Sequence, residues 1–207
     1  MTPGRFITLE GGEGAGKSTQ ARFLGESLNQ HGLSVVRTRE PGGAPGAEVL
    51  RTLLLSGQVD WSPPAETLLH FAARAEHVEK TIRPALAAGT WVICDRFFDS
   101  TMAYQGYGQG ADRSLIAALT GLIGLVPDLT IVLDVSPAVA VSRLGKRGSA
   151  SDRYERLDAD FHARVTAGFR EIARAGPERC VLVPADGDEA SVHTAVMTAV
   201  RQRLPLA

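Results

Sequence analysis

Lysine and cysteine are both scarce in this chain. Three lysines stand against nineteen arginines, and one of the three, Lys17, lies within a glycine-rich stretch, so it is not expected to serve merely as a surface charge. The two cysteines, Cys94 and Cys180, show no CxxC or metal-ligand spacing, which argues against a disulfide framework and a zinc site. Cys94 lies in the apolar run WVICD and is expected to be a small buried hydrophobe.

An excess of one charge and a long hydrophobic run are also lacking. The formal net charge of −1 argues against the clustered basic face that non-specific nucleic-acid binding requires. The longest apolar stretch, around 115–126, is too short and too interrupted by glycine to span a bilayer. The first residues, MTPGRFITLEGG, lack the basic and long apolar regions of a signal peptide, so we expect a cytoplasmic protein that does not act on membranes.

The length and the periodicity of the sequence predict one α/β domain over residues 1–207. Five apolar, β-branched runs are predicted as strands buried on both faces: Phe6–Glu10, Ser34–Thr38, Trp91–Asp95, Leu129–Val135 and Cys180–Val183. Helical patterns lie between them, at about 17–31, 46–56, 65–88, 113–124, 137–145, 157–175 and 189–203. This alternation predicts a three-layer fold in which helices flank a five-stranded parallel sheet.

The stretch GGEGAGKS, at 11–18, lies between a predicted strand and a predicted helix and fits G-x-x-x-x-G-K-[ST]. Glycines let backbone N–H groups turn inward around an anion, and the helix N-terminus adds its positive dipole end. A P-loop NTPase-like fold is therefore predicted, with Lys17 at the β- and γ-phosphates of ATP and the Ser18 hydroxyl on Mg²⁺. A glycine-rich turn with an exposed lysine is the less favoured alternative. The expected ATP-binding residues are Gly11, Gly12, Glu13, Gly14, Ala15, Gly16, Lys17, Ser18 and Thr19.

A guanine-specific switch is disfavoured, because it needs an N-K-x-D motif and the one asparagine, Asn29, lies in the first predicted helix. Three further segments are informative: TREPGG (38–43), DRFFDSTMAYQG (95–106) and RGSASDRYE (147–155). Together with LEGGEGAGKSTQ, they resemble bacterial thymidylate kinases, P-loop enzymes that move the γ-phosphoryl group of ATP onto dTMP. The resemblance covers nearly the whole chain and implies a homodimer and a lid at about 143–156.

The resemblance also implies roles at the phosphates. Asp95 ends an apolar strand, where a P-loop enzyme places the carboxylate that organises Mg²⁺. Arg96 would bind the dTMP phosphate as a two-pronged donor, and Glu13 would contact the sugar 3′-hydroxyl and Arg96. Arg147 and Arg153 match the lid arginines that stabilise charge on the transferred group. A solvated basic helix end is the interpretation we favour for Arg143 and Lys146. For Arg39 and Arg51, a place near the dTMP phosphate and a surface ion pair are equally favoured.

Recognition of thymine and deoxyribose is implied for a second group of residues: Arg74, Ser100, Thr101, Tyr104 and Gln105. Tyr104 would exclude a ribose 2′-hydroxyl, although ordinary helix packing is the alternative. The family stacks thymine on a phenylalanine four residues before this arginine, where the chain has His70 followed by Phe71. We favour His70 slightly, since a deletion within the helix would rotate its apolar face off the core. A stacking His70 is expected to make dTMP binding depend on pH near 6–7.

The sequence thus predicts a Mg·ATP-dependent dTMP kinase. Two alternatives remain open. One is a kinase for another nucleoside monophosphate or for a deoxynucleoside. The other is a nucleotide-sensing regulatory ATPase, in which the DR segment would bind a partner.

Overall fold

A computed structural model describes residues 4–147 and 153–206, and in that part of the chain it contains one five-stranded parallel sheet. The strands are β1 (Phe6–Glu10), β2 (Val35–Arg39), β3 (Trp91–Asp95), β4 (Leu129–Asp134) and β5 (Cys180–Pro184), in the order β2-β3-β1-β4-β5. The predicted α/β sheet architecture is confirmed. Burial on both faces holds for the three inner strands, but β2 and β5 are partly exposed because they form the edges of the sheet.

Nine α-helical segments lie in the described ranges: α1 (Lys17–Gln30), α2 (Pro45–Leu55), α3 (Pro63–His77), α4 (Arg83–Ala87), α5 (Phe98–Thr101), α6 (Arg113–Ile123), α7 (Pro137–Arg147), α8 (Ala159–Ala175) and α9 (Glu189–Arg203). The predicted helix at 65–88 is divided by a π-helical turn, Val78–Ile82, between α3 and α4. A second π-helical segment, Met102–Gly108, continues α5. The helical run at 98–108 was missing from the predicted helices, because its apolar residues do not follow the 3.6-residue period.

Local sequence explains where several helices begin. Asp158 caps α8 by accepting a hydrogen bond from the Phe161 N–H, at 2.7 Å. Asp188 caps α9 in the same way through the Ser191 N–H, at 2.8 Å. The N-cap residue of α1 is Gly16, which has no side chain to accept a hydrogen bond. The first backbone N–H groups of α1 are therefore not bonded to a capping side chain.

The sheet carries helices on both faces. One face packs against α1 and α9 in a cluster that includes Ile7, Leu24 and Val196, each fully buried. The other face packs against α8 and the 98–108 helices, where Val132 meets Val165 and Phe169. None of the helices in the described part of the chain combines the length and the apolar composition that crossing a bilayer requires.

The carboxyl ends of β1, β2 and β3 meet at one edge of the sheet. Asp95 pairs in register with Leu9 on one side and with Arg39 on the other. Loops at this edge are the usual location of ligand sites in open α/β sheets, and the glycine-rich segment follows β1 there.

Candidate active site

The segment 11–18 turns sharply between β1 and α1, and its glycines are required by close backbone contacts. A Cβ atom on Gly11 would lie 2.6 Å from the Leu133 carbonyl oxygen, and one on Gly14 would lie 2.6 Å from the Ala140 carbonyl oxygen. Both residues also have positive φ angles, +135° and +71°. The loop is therefore packed against β4 and α7 in a shape that other residues could not adopt without strain.

Lys17 lies at the centre of this loop and is largely buried. Its Nζ donates to the Gly12 carbonyl at 2.7 Å and to the Gly11 carbonyl at 3.1 Å. Burial lowers the pKa of Lys17, and the nearby Arg96 lowers it further, although Glu13 and Asp95 oppose the shift. An anion in the loop would relieve the cost of burying this ammonium group.

Ser18 and Asp95 are brought into direct contact. The Ser18 hydroxyl donates to Asp95 Oδ2 at 2.6 Å, joining the start of α1 to the end of β3. A hydroxyl and a carboxylate are hard oxygen donors of the kind that Mg²⁺ accepts when phosphate oxygens and water complete its coordination. The donor set therefore fits a magnesium ion carried with a nucleotide.

Arg96 begins the chain's turn away from β3 with φ +69°, the left-handed region that few residues other than glycine adopt. Its guanidinium donates to Glu13 Oε1 at 2.6 Å and to the Tyr104 hydroxyl at 3.1 Å. Its other terminal nitrogen donates to Ser100 Oγ and to the Gly11 carbonyl. The side chain thus ties the phosphate loop to the 98–108 helices.

Glu13 and Arg96 form a partly buried ion pair. Burial opposes the ionisation of Glu13, but Arg96 and Lys17 lower its pKa to about 2. Burial likewise opposes the charge on Arg96, but Glu13, Tyr104, Asp95 and Glu10 together outweigh it, so the pKa of Arg96 is raised. Tyr104 donates to Glu13 Oε1 at 2.8 Å and its ring lies under the Arg96 guanidinium, 4.8 Å from its central carbon. The three predicted residues therefore act as one unit.

Arg74 lies at the other end of the site and is almost completely buried. Its Nε donates to Glu40 Oε2 at 2.8 Å, and its Nη2 donates to Thr101 Oγ1 at 3.0 Å. The Glu40 carboxylate also contacts His77 Nδ1 at 3.0 Å. The remaining terminal nitrogen of Arg74, Nη1, is buried and has no hydrogen-bond partner within the described ranges. A buried donor of this kind favours a ligand acceptor.

His70 and Phe71 take different places on α3. His70 lines the same cavity as Arg74, and its Nε2 lies 2.9 Å from the Tyr154 hydroxyl. Phe71 does not line that cavity; it packs with Ile116 of α6 and beneath the Arg74 guanidinium, 4.6 Å from the ring centre. His70 therefore lines the described cavity and Phe71 does not, and the choice between them as the residue that stacks on the base stays a prediction.

The expected pH response of His70 also needs correction. Burial lowers its pKa to about 3, and the positive charges of Arg74, Arg96 and Arg153 act in the same direction. His70 is therefore neutral between pH 6 and 7, so its stacking on a base would not depend on pH there.

The basic residues near the lid differ in what they contact. Arg153 donates to Glu66 Oε2 at 2.6 Å and does not line the cavity. Arg143 and Lys146 do line it, and Arg143 donates to the Gly187 carbonyl at 2.7 Å. Residues 148–152 and the side chain of Arg147 lie outside what the structure describes, so the expectation for Arg147 has no structural counterpart here.

One cavity of about 600 Å³ connects these groups. The predicted residues that line it are Glu13, Gly14, Ala15, Gly16, Lys17, Ser18, Thr19, Arg39, His70, Arg74, Asp95, Arg96, Ser100, Thr101, Tyr104 and Gln105. Both interpretations of Arg39 find support, since it lines the cavity and also pairs with Glu48 on the surface at 3.2 Å. Arg51 lines the cavity too, and its guanidinium donates a hydrogen bond to the Pro41 carbonyl.

The residues around the cavity that were not singled out from the sequence include Glu40, Glu66, His77 and Tyr154. Glu40 carried a weak signal, because it stands in TREPGG at the end of a strand. Tyr154 carried a similar signal, because it stands in RGSASDRYE. Glu66 and His77 gave none, since each contacts residues at least 30 positions away, as in the Glu66–Tyr154 hydrogen bond.

A phosphate loop with a magnesium-suited pair at one end of a deep cavity, and buried donors at the other, is the arrangement of a P-loop kinase that binds a nucleotide and a second small substrate. The thymidylate kinase family model matches residues 9–196. Among similar proteins, the thymidylate kinase of Caulobacter vibrioides is 52% identical over 100% of both chains, and that of Chromohalobacter salexigens is 48% identical over 99% of this chain and 98% of its own. The crystal structure of thymidylate kinase from Ehrlichia chaffeensis superposes with a TM-score of 0.80 at 40% identity, covering 96% of this chain and 99% of that one. The chain belongs to the thymidylate kinase family.

Proposed function

We propose that the chain transfers the γ-phosphoryl group of ATP to dTMP, giving dTDP, within the cavity described above. The observation that carries this proposal is the continuity of that cavity, which runs from Lys17 in the phosphate loop past Arg96 to Arg74 and His70. Family membership and the relatives' names support the substrate pair. They do not favour a regulatory ATPase or a kinase for another nucleotide.

At the donor end, the inward N–H groups of the loop and Lys17 hold the β- and γ-phosphates. Ser18 and Asp95 would hold Mg²⁺, which supplies charge neutralisation on the phosphate oxygens when bound. Apart from Glu13, the remaining loop residues from Gly11 to Thr19 provide shape rather than charge. Their close packing against β4 and α7 supports a preorganised site.

At the acceptor end, Arg96 binds the phosphate of dTMP, held in place by Glu13 and Tyr104. The dTMP phosphate is already anionic at neutral pH, so the reaction requires neither a general base nor a covalent intermediate. Catalysis then consists of positioning and electrostatic stabilisation. Arg39 is a second candidate cation for this phosphate, supported by its place on the cavity wall.

The base and sugar are recognised at the far end. Arg74 donates its Nη1–H, which has no partner within the described ranges, to a thymine carbonyl. Thr101 holds Arg74 in position, and Ser100 holds Arg96. Gln105 and His70 complete the wall around the base, with His70 as the stacking residue. Tyr104 is fixed at both Glu13 and Arg96, which supports its role in excluding a ribose 2′-hydroxyl.

A coupled assay of ADP formation across a panel of nucleoside monophosphates and deoxynucleosides tests the proposal. We expect ADP formation to depend on dTMP and to exceed that with any other acceptor. ATP hydrolysis that is indifferent to dTMP would contradict it and would revive the regulatory alternative. A preference for another monophosphate would retain the chemistry but replace the substrate.

We also propose that the protein functions as one domain, as a homodimer and in the cytoplasm. Exposed apolar side chains on α2, α3 and α6 support the dimer: Val49, Leu68 and Leu122 are 63%, 51% and 82% exposed. Light scattering on the wild type and on Leu122→Glu tests it, with a shift towards monomer expected in the variant. The proposed substrates, ATP and dTMP, support the cytoplasmic location.

A further inference from the structure

Glu66 is a fully buried carboxylate that stands behind the base end of the cavity. Four side chains of the described ranges donate to it. Oε1 accepts from Tyr154 at 2.7 Å and from the amides of Gln105 and Gln109 at 2.8 Å, and Oε2 accepts from Arg153 at 2.6 Å. A buried carboxylate would be costly without such partners, so this cluster is a built arrangement rather than a chance contact.

The donors to Glu66 determine the proton positions around His70. The Tyr154 hydroxyl has one proton, and it points to Glu66. The hydroxyl oxygen therefore accepts from His70 Nε2–H, 2.9 Å away, which places the proton of the neutral imidazole on that nitrogen. Glu66 thus orients His70 through Tyr154 and orients the Gln105 amide directly.

The residues around Glu66 divide into two groups. His70, Gln105 and Tyr154 line the cavity, whereas Glu66 and Arg153 contact them from outside it. We propose that Glu66 is a positioning residue for dTMP, and that Arg153 acts through Glu66 on the base end rather than on the transferred phosphoryl group. This inference rests on the proposed function, and it replaces the transition-state role expected for Arg153.

The key measurement is dTMP affinity by calorimetry without ATP, together with kcat and the KM values of both substrates. Glu66→Gln, Tyr154→Phe and Arg153→Ala are each expected to weaken dTMP binding about tenfold, the scale of one lost buried hydrogen bond. The KM for ATP should change less than twofold, and kcat less than about threefold. Arg153→Lys should recover most of the affinity, because it keeps a cation on Glu66.

Asp60→Asn is the matched control. Asp60 is fully exposed and lies 3.5 Å from the same Arg153 guanidinium, so its loss should leave dTMP affinity unchanged. A variant with both His70 and Tyr154 replaced measures how strongly these two residues are coupled in dTMP binding. Because His70→Phe and Tyr154→Phe break the same hydrogen bond, their combined effect on dTMP affinity should be smaller than the product of the separate effects.

Two results would overturn the inference. A fall in kcat of about 10³-fold in Arg153→Ala, with dTMP affinity unchanged, would place Arg153 at the phosphoryl group. A lower Tm in Glu66→Gln and Tyr154→Phe with wild-type dTMP affinity would make the cluster merely structural. If Glu66→Gln fails to fold, Tyr154→Phe and Arg153→Ala decide the matter. Failure of the proposed function is distinguishable, because the wild type itself would then show no dTMP-dependent ADP formation.

Discussion

The two ends of the cavity are built in different ways. The phosphate end is made by consecutive residues: a loop at 11–18 shaped by glycines, and the pair Asp95–Arg96 at a strand end. The base end is made by side chains from separate parts of the chain, among them Glu40, Arg74 and Tyr154. On the proposed function, backbone geometry would thus bind the phosphates, and a side-chain network would recognise the base.

The phosphate end can be broken most severely with Lys17→Ala. The hydrogen bonds described for Lys17 go to carbonyls of its own loop, and we propose that it serves ligand charge, so activity should fall roughly 10³-fold while the fold persists. Steady-state kinetics and circular dichroism measure the two effects. Lys80→Ala removes another of the three lysines, at an exposed position, and should behave as the wild type. Near-normal turnover in the Lys17 variant would refute the phosphate-loop assignment.

At the base end, Arg74→Lys keeps the charge but loses the planar fork that reaches Glu40 and Thr101 together. We expect dTMP affinity to fall roughly 10- to 100-fold, with the KM for ATP unchanged, as calorimetry and kinetics would show. Arg22→Lys is the control, since Arg22 forms an exposed pair with Glu26. Equal losses for ATP and dTMP would remove the distinction between the two ends.

His70→Ala and Phe71→Ala separate recognition from packing within one helix turn. Loss of the stacking side chain at 70 should cost about 1–3 kcal/mol of dTMP binding. Loss of the core side chain at 71 should instead cost about 3–5 kcal/mol of unfolding free energy. Urea unfolding and dTMP titration measure both quantities. The opposite pattern, with the binding loss at Phe71, would return the stacking role to that residue.

The smallest expected effect concerns pH. Since the pKa of His70 is about 3, dTMP affinity should show no His70 contribution between pH 6 and 7, once the phosphate's own titration is subtracted. A change in affinity that disappears in His70→Phe would contradict this.

Unfolding responds to His70 differently. The unfolded histidine takes up a proton below about pH 6.5 that the folded one does not, so acidification destabilises the fold, by about 2 kcal/mol at pH 5. Glu10 acts in the opposite direction, because burial and Asp99 raise its pKa to about 8 and its folded form keeps a proton above pH 4.5. Urea titrations at pH 5 and 7 on the wild type and on His70→Phe therefore isolate the histidine contribution.

The sequence predicted the sheet, most helices and the phosphate end, because these depend on local periodicity and on one short motif. It did not predict the 98–108 helices, whose π-helical turns break the usual period. The sequence also did not predict the role of Glu66 or the ion pair that Arg153 forms with it. A hydrogen bond between residues 87 positions apart, like that of Arg153 with Glu66, is fixed by tertiary packing and leaves no local pattern. His70 was favoured over Phe71 because helix geometry alone constrains that choice.

Arg96 adopts a left-handed backbone conformation, which costs an ordinary residue roughly 1–2 kcal/mol. A glycine at this position would relax the turn after β3, but it would also leave the Glu13 carboxylate without its guanidinium partner. For a buried pair that loss is about 3–5 kcal/mol, which exceeds the strain relieved. The arginine side chain also joins the loop, the strand end and the 98–108 helices. The contacts of the side chain thus hold the backbone in its strained conformation, and libraries screened only for melting temperature should retain arginine at position 96 unless Glu13 is replaced as well.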